Sequence, residues 1–380
     1  MATKTNISPK KIRIAALLAV MGPGVIAGLS DDDPAGITTY SVLGAKYGYQ
    51  LLWVLVASTA ALIIFQDLGA RIGVVTRQGM IGLIRQKYGA RSGTLSAGAL
   101  ILANIGTMTA EFAGIAAAGQ LFGLSRYLTV PIAAIAVSFL VLRNSFAKVE
   151  KVFFLISGVF IATATFGTTL APWGLAFIQS YAVDKRLTRD DLKLLRVDVW
   201  TGSLLTGIIG FFVIVTCAAT LNKSGIQIND AADAAKALEP LAGTLAKELF
   251  AIGLIGAALL AASILPLSTA YSVSDLTGRP AALDDSPREA PLFYATFGVI
   301  TVVSAILILI PGAPLIRILV LTQILNAVLL LPLLIYMYGI SRDERLMGEF
   351  VSTKTMRVIY GTIIAIVAIA VCCMLWFSIH

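Results

Sequence analysis

The charged residues of this 380-residue chain are segregated, and no other feature constrains its fold as strongly. Residues 14–30, 47–66, 92–110, 127–142, 152–183, 199–222, 249–274, 290–316, 318–341 and 358–380 carry no charge. These runs are 16 to 32 residues long, and a bilayer-spanning helix needs roughly 20 apolar residues. Charged residues make up 13% of the chain, about half the share of a soluble domain. A soluble globule, a nucleic-acid-binding domain and a disordered chain are excluded. The runs are too long and continuous for an outer-membrane barrel. The first run reads on through Asp31-Asp32-Asp33 into more apolar sequence, unlike a cleaved signal peptide. The expectation is an all-α polytopic membrane protein with the lipid bilayer as partner, no nucleic acid and no cofactor. Cys217, Cys372 and Cys373 lie in apolar runs and read as packing residues. No His-Glu-x-x-His or Gly-x-Ser-x-Gly set points to an enzyme.

With the N-terminus cytoplasmic, 23 basic residues fall inside and 6 outside, a bias of the expected sign. The scheme contains one anomaly. The loops flanking 152–183 both come out cytoplasmic, so that run must cross an even number of times. Its 32 residues are too many for one span, and two spans need about 40 residues plus a turn.

The functional signal lies where helix-breaking residues interrupt the runs. Gly22-Pro23-Gly24 and Asp31-Asp32-Asp33-Pro34-Ala35-Gly36 fall in the first segment, and Ala171-Pro172-Trp173-Gly174 falls in the fifth. Proline removes a backbone donor and disfavours helix at the residue before it. Paired interruptions, one in each half of a chain, point to the substrate site of an inverted-repeat transporter, where unwound backbone frees carbonyls for a cation.

The stretch from Asp33-Pro34-Ala35-Gly36-Ile37-Thr38-Thr39-Tyr40 to Gly44-Ala45-Lys46-Tyr47-Gly48-Tyr49-Gln50-Leu51-Leu52-Trp53 resembles the first-helix signature of NRAMP divalent-metal transporters. Ala110-Glu111-Phe112 and Gln323 fit the same pattern, and the resemblance runs from about residue 14 to 378. It implies the LeuT-type (APC) inverted-repeat fold, with helices 1 and 6 broken at mid-membrane and 10–11 transmembrane segments in all. The first repeat is then expected over about 14–165, the second over about 166–341, and an extra helix over about 356–379, all in one transmembrane domain. Beside the family, 151–183 looks shortened, as if helix 5 and the helix 6 break were fused.

Where NRAMP metal sites use Asp-Pro-Gly-Asn and Met-Pro-His, this chain has Gly36 for the Asn, Ala171 for the Met and Trp173 for the His. That pattern resembles the NRAMP-related magnesium transporter branch. The chemistry agrees independently. A thioether favours transition metals, whereas Mg²⁺ takes oxygen ligands and keeps several waters. Asp33 is therefore read as the metal ligand, with the carbonyls of Ala35, Thr168 and Ala171 and the amide of Gln323 completing its sphere. Asp32, Gly36, Trp173, Gly174 and Asn326 are read as pore or gate residues, and Asp31 with Asp32 as an acidic vestibule. Thr39 and Gln179 are weaker candidates. Tyr271, Ser274 and Asp275 read as gate residues or interface anchors.

Proton-linked carriers usually need titratable residues along an intramembrane path. The only histidine is His380, and Met108 stands where the family has an Asp before the third-helix Glu. Glu111 remains, as a structural or a coupling acid. The expected function is transport of Mg²⁺, and of Mn²⁺, across a bacterial inner membrane without obligatory proton coupling. The alternatives are a proton-coupled Mn²⁺/Fe²⁺ symporter and a deletion variant that binds without transporting.

Overall fold

The computed structural model describes residues 22–142, 171–226, 228, 231–238, 243–279, 282–283, 285–313 and 315–379. Thr168 lies outside these residues, as does most of the 152–183 run. The described residues form helices α1 (Pro23–Asp31), α2 (Pro34–Tyr47), α3 (Leu52–Thr76), α4 (Met80–Tyr88), α5 (Ala90–Leu121), α6 (Arg126–Leu142) and α7 (Pro172–Asp184). There follow α8 (Leu192–Cys217), α9 (Ala231–Ala235), α10 (Ala246–Thr277), α11 (Pro291–Leu309), α12 (Leu315–Ser341), α13 (Glu344–Met347) and α14 (Lys354–Ile379), with no strand among the described residues.

Six helical stretches among the described residues are long and apolar enough to cross a membrane: Leu52–Thr76, Ala90–Leu121, Arg189–Asn222, Ala246–Thr277, Pro291–Leu309 and Leu321–Ser341. They divide by burial. The apolar windows of α5 and α10 are 72% and 78% buried, against 39–44% for the others. These two helices therefore pack against each other as central pillars, flanked by α11, α12 and α7. The outer helices present large apolar side chains such as Trp53, Ile135 and Val299 outward, as a lipid-facing surface does.

The charge-free runs do not end where the helices end. Glu111 closes the third run, yet α5 continues ten residues beyond it to Leu121. At Gly22-Pro23-Gly24, expected as an interruption, α1 begins: Pro23 occupies its first turn, where a missing N–H is harmless, and what precedes Gly22 lies outside the described residues. Gly22 has a φ of 147° there, a conformation open to glycine.

Two devices press α1 onto α8. The buried Asp198 carboxylate of α8 accepts hydrogen bonds from the backbone N–H groups of Gly22 (3.1 Å), Gly24 (2.6 Å) and Val25 (3.2 Å). It thus supplies from another helix the acceptor that a helix N-terminus lacks. Below it, a Cβ on Gly28 would lie 2.5 Å from the Gly202 backbone, so only glycine permits this approach. The Thr206 hydroxyl then donates to the Gly28 carbonyl at 2.6 Å.

Candidate metal-ion site

The break between α1 and α2 is two residues long, Asp32 and Asp33. Its cause is local. Pro34 cannot donate to the α1 ladder and pushes Asp33 to an extended conformation, φ −83° and ψ 166°. Asp33 then serves as N-cap of α2, its Oδ1 accepting from the Gly36 N–H at 2.5 Å. Gly36 is thereby a capping partner of the ligand candidate. The Ala35 carbonyl accepts from the Thr39 hydroxyl at 2.8 Å.

Asp31, Asp32, Asp33 and Glu111 are all buried, none more than 2% exposed. Neither oxygen of Asp31, Asp32 or Glu111 meets a hydrogen-bond donor. The Glu111 carboxyl faces that of Asp33 across the α5–α2 contact. Gly114, one turn further along α5, takes the Pro34 ring where a side chain would collide with it. Buried carboxylates without donors are expensive unless a cation or a proton joins them. Among the described residues, however, no three His, Cys, Asp or Glu side chains converge on one point. The arrangement offers single carboxylates backed by amides and carbonyls, which fits a cation that retains water.

The second interruption read from the sequence is where α7 begins. Ala171 is its N-cap, extended at φ −70° and ψ 136°, with no side chain capping the first turn. Its carbonyl accepts from the N–H of Gly174 at 3.1 Å and of Leu175 at 3.5 Å. Trp173 is buried at 1% exposure, and its carbonyl accepts from the Ser268 hydroxyl of α10 at 3.0 Å. Gly174 faces the Asp31 carboxylate and the Gln66 amide. The structure therefore brings Asp31 to the first turn of α7. On α12, Asn326 donates to the Thr107 hydroxyl at 2.9 Å, an interhelical bond to α5. Gln323, one turn earlier, keeps a buried Nε2 without a partner. Thr39 and Gln179 have backbone partners, Gln179 donating to the Gln78 carbonyl at 3.0 Å.

Tyr271 donates to Asp184 at 2.7 Å. Together with Ser274 and Asp275 they line a separate cavity of about 250 Å³ beside Gly79. Asp67 is held by Arg196 at 2.8 Å, a structural ion pair. Sequence reasoning passed over Gln66 and Asp198. Each is polar and sits at the edge of an apolar run, and that was the available signal.

The architecture is that of solved membrane transporters. A crystal structure of the Eremococcus coleocola manganese transporter superposes with a TM-score of 0.76 at 17% identity, covering 97% of this chain and 88% of that one. The closed conformation of Mhp1, a nucleobase-cation-symport-1 family transporter, superposes with a TM-score of 0.53 at 13% identity, covering 94% and 92%. The fold is thus LeuT-type. The family model for Nramp, natural resistance-associated macrophage protein-like, matches residues 24–161 and 155–377, two stretches that overlap within the 152–183 run. The chain belongs to the Nramp family, whose members are transporters and not enzymes. It is 27% identical over 413 residues to the divalent metal cation transporter MntH of Bacillus subtilis (strain 168), covering 95% of this chain and 92% of that protein.

Proposed function

We propose that this chain moves Mg²⁺, and also Mn²⁺, across a bacterial inner membrane by alternating access, without obligatory proton coupling, with its N-terminus in the cytoplasm. The observation that carries this reading is the cluster of buried carboxylates around the α1–α2 break, where Asp31, Asp32 and Glu111 meet no donor and Asp33 meets that of Gly36. A bound cation offsets the cost of burying them, and the set contains no thioether, thiol or imidazole that would prefer a softer metal. Asp33 is the central ligand, the partly free carbonyls and Gln323 complete the sphere, and the remaining positions are water. Asp32, Gly36, Trp173, Gly174 and Asn326 shape the path. On this reading the chain is a member of the magnesium-transporting branch of its family, which the absence of Met and His at the interruptions supports. The relatives named for manganese are compatible, because Mn²⁺ also accepts oxygen ligands.

The test is uptake into proteoliposomes. Mg²⁺ and Mn²⁺ should enter with the parent chain and not with Asp33→Ala, while the internal pH stays constant. Uptake by Asp33→Ala equal to the parent refutes the site. One observation favours a second reading, proton-coupled Mn²⁺ symport: Glu111 and Asp33 face each other, and two such carboxyls can share a proton. Acidification of the lumen in proportion to metal uptake, abolished by Glu111→Gln, would decide for it.

A further inference from the structure

The last turns of α3, the first turn of α8 and the link between α13 and α14 enclose a cavity of about 410 Å³ that shares no lining residue with the α1–α2 break. That volume lies in the range of small-molecule sites, roughly 300–1,000 Å³. Arg71, Arg189, Lys193 and Arg196 line it, together with Asp67 and Glu349. Both acids are already paired. Arg196 donates to Asp67 at 2.8 Å, and Arg189 to Glu349 at 3.3 Å. Among the described residues, Arg71 and Lys193 therefore meet no carboxylate at ion-pair distance. Arg71 donates to two hydroxyls, Ser352 at 3.0 Å and Tyr360 at 3.1 Å, and its buried Nε has no acceptor. A guanidinium positioned by neutral partners, with a donor left over, suits a phosphate oxygen.

The surface of α8 indicates what carries that phosphate. Lys193, Arg196, Trp200, Leu204 and Ile208 recur at intervals of three and four residues, so they share one face of the helix. All five are exposed, Trp200 by 51%. The face thus passes from cationic to aromatic to aliphatic within a stretch long and apolar enough to cross a membrane. An indole between charge and hydrocarbon marks the membrane interface. A soluble phosphate compound would leave the apolar strip unused, whereas a lipid uses both ends of it. We infer that the cavity binds the headgroup of an anionic glycerophospholipid, its phosphate on Arg71 and Lys193 and its acyl chains along Trp200 and Leu204. Basic pockets between membrane helices take anionic headgroups in this way. The bound lipid bridges α3, α8 and the α13–α14 link, and its site stands whichever metal the chain carries.

The experiment is quenching of Trp200 by lipids brominated on their acyl chains, with the full-length chain in phosphatidylcholine nanodiscs. The chain has four tryptophans, so the Trp200 signal is taken by difference from Trp200→Phe. Brominated phosphatidylglycerol should quench it at lower mole fraction than brominated phosphatidylcholine. Lys193→Glu and Arg71→Gln should each weaken that preference at least about fivefold. Lys193 is exposed and without an ion-pair partner among the described residues, so its variant tests binding without threatening the fold. Lys223→Glu makes the same charge change just beyond the far end of α8 and should leave the preference intact. Equal quenching by the two lipids overturns the site. So does a preference that survives Lys193→Glu, or one that Lys223→Glu weakens as much. Loss of the preference on adding inorganic phosphate would assign the cavity to a soluble phosphate and overturn the lipid.

Discussion

Asp198→Ala tests whether a side chain on α8 anchors the start of α1. The carboxylate accepts from three backbone N–H groups, at Gly22, Gly24 and Val25. None of these donors has an acceptor within α1, because they belong to its first turn. A buried donor left without an acceptor costs about 1–3 kcal/mol. Truncation leaves three such donors at once, about 3–9 kcal/mol in all, of which about 3–5 kcal/mol is expected once some of them find other acceptors. Local relaxation keeps the sum near that range. At about 2 °C per kcal/mol for a chain of this size, the melting temperature in detergent should fall by roughly 6–10 °C. Asp198→Asn retains one acceptor oxygen and should lose about half as much. Amide exchange at Gly22, Gly24 and Val25 should quicken in the same order. A melting temperature for Asp198→Ala within about 1 °C of the parent would refute the anchoring argument.

Gly28→Ala should destabilise by about 1–3 kcal/mol through overpacking against the Gly202 backbone, whereas Gly98→Ala or Gly361→Ala, with nothing within 4 Å, should be neutral or stabilising in the same melting assay. Asp343 receives a hydrogen bond from the Lys87 ammonium at 2.6 Å, which holds its carboxyl below the usual aspartate value. A lowered folded-state value means the contribution is fully present above about pH 4 and is lost as pH falls through the lowered value. Acid titration of Asp343→Asn against the parent should therefore converge at low pH, and a gap that widens there would contradict it. Arg196→Ala, which breaks an exposed pair with Asp67, should cost no more than about 1 kcal/mol and leave metal uptake unchanged.

The membrane helices and the first break were legible in the sequence because both are local properties. Apolar length announces a span, and Asp33 before Pro34 announces an interruption with a capping carboxylate. The extent of α5 was less legible. A buried Glu111 ends a charge-free run without ending a helix, since its carboxyl turns into the packing opposite Asp33 rather than out to solvent. At Gly22-Pro23-Gly24 the described residues show only the helix that begins there, with Pro23 in its first turn. What the sequence could not reveal were partnerships between distant positions. Asp198 lies 176 residues from Gly22, and nothing in either stretch names the other. Asp31 and Asp33 are two positions apart, yet they face different helices, because the break turns the chain between them. Gln66 became interesting only when its free amide was found beside Gly174.

The contact between α1 and α8 also bears on how such a protein changes shape. Two helices touching backbone to backbone at Gly28 and Gly202, and tied by Asp198 and Thr206, cannot slide or rotate past each other without breaking those ties. They shift as one lever. The slack for reorienting α1 against α2 is then confined to the dihedrals of Asp32 and Asp33, so the hinge is made of the same residues that hold the charge.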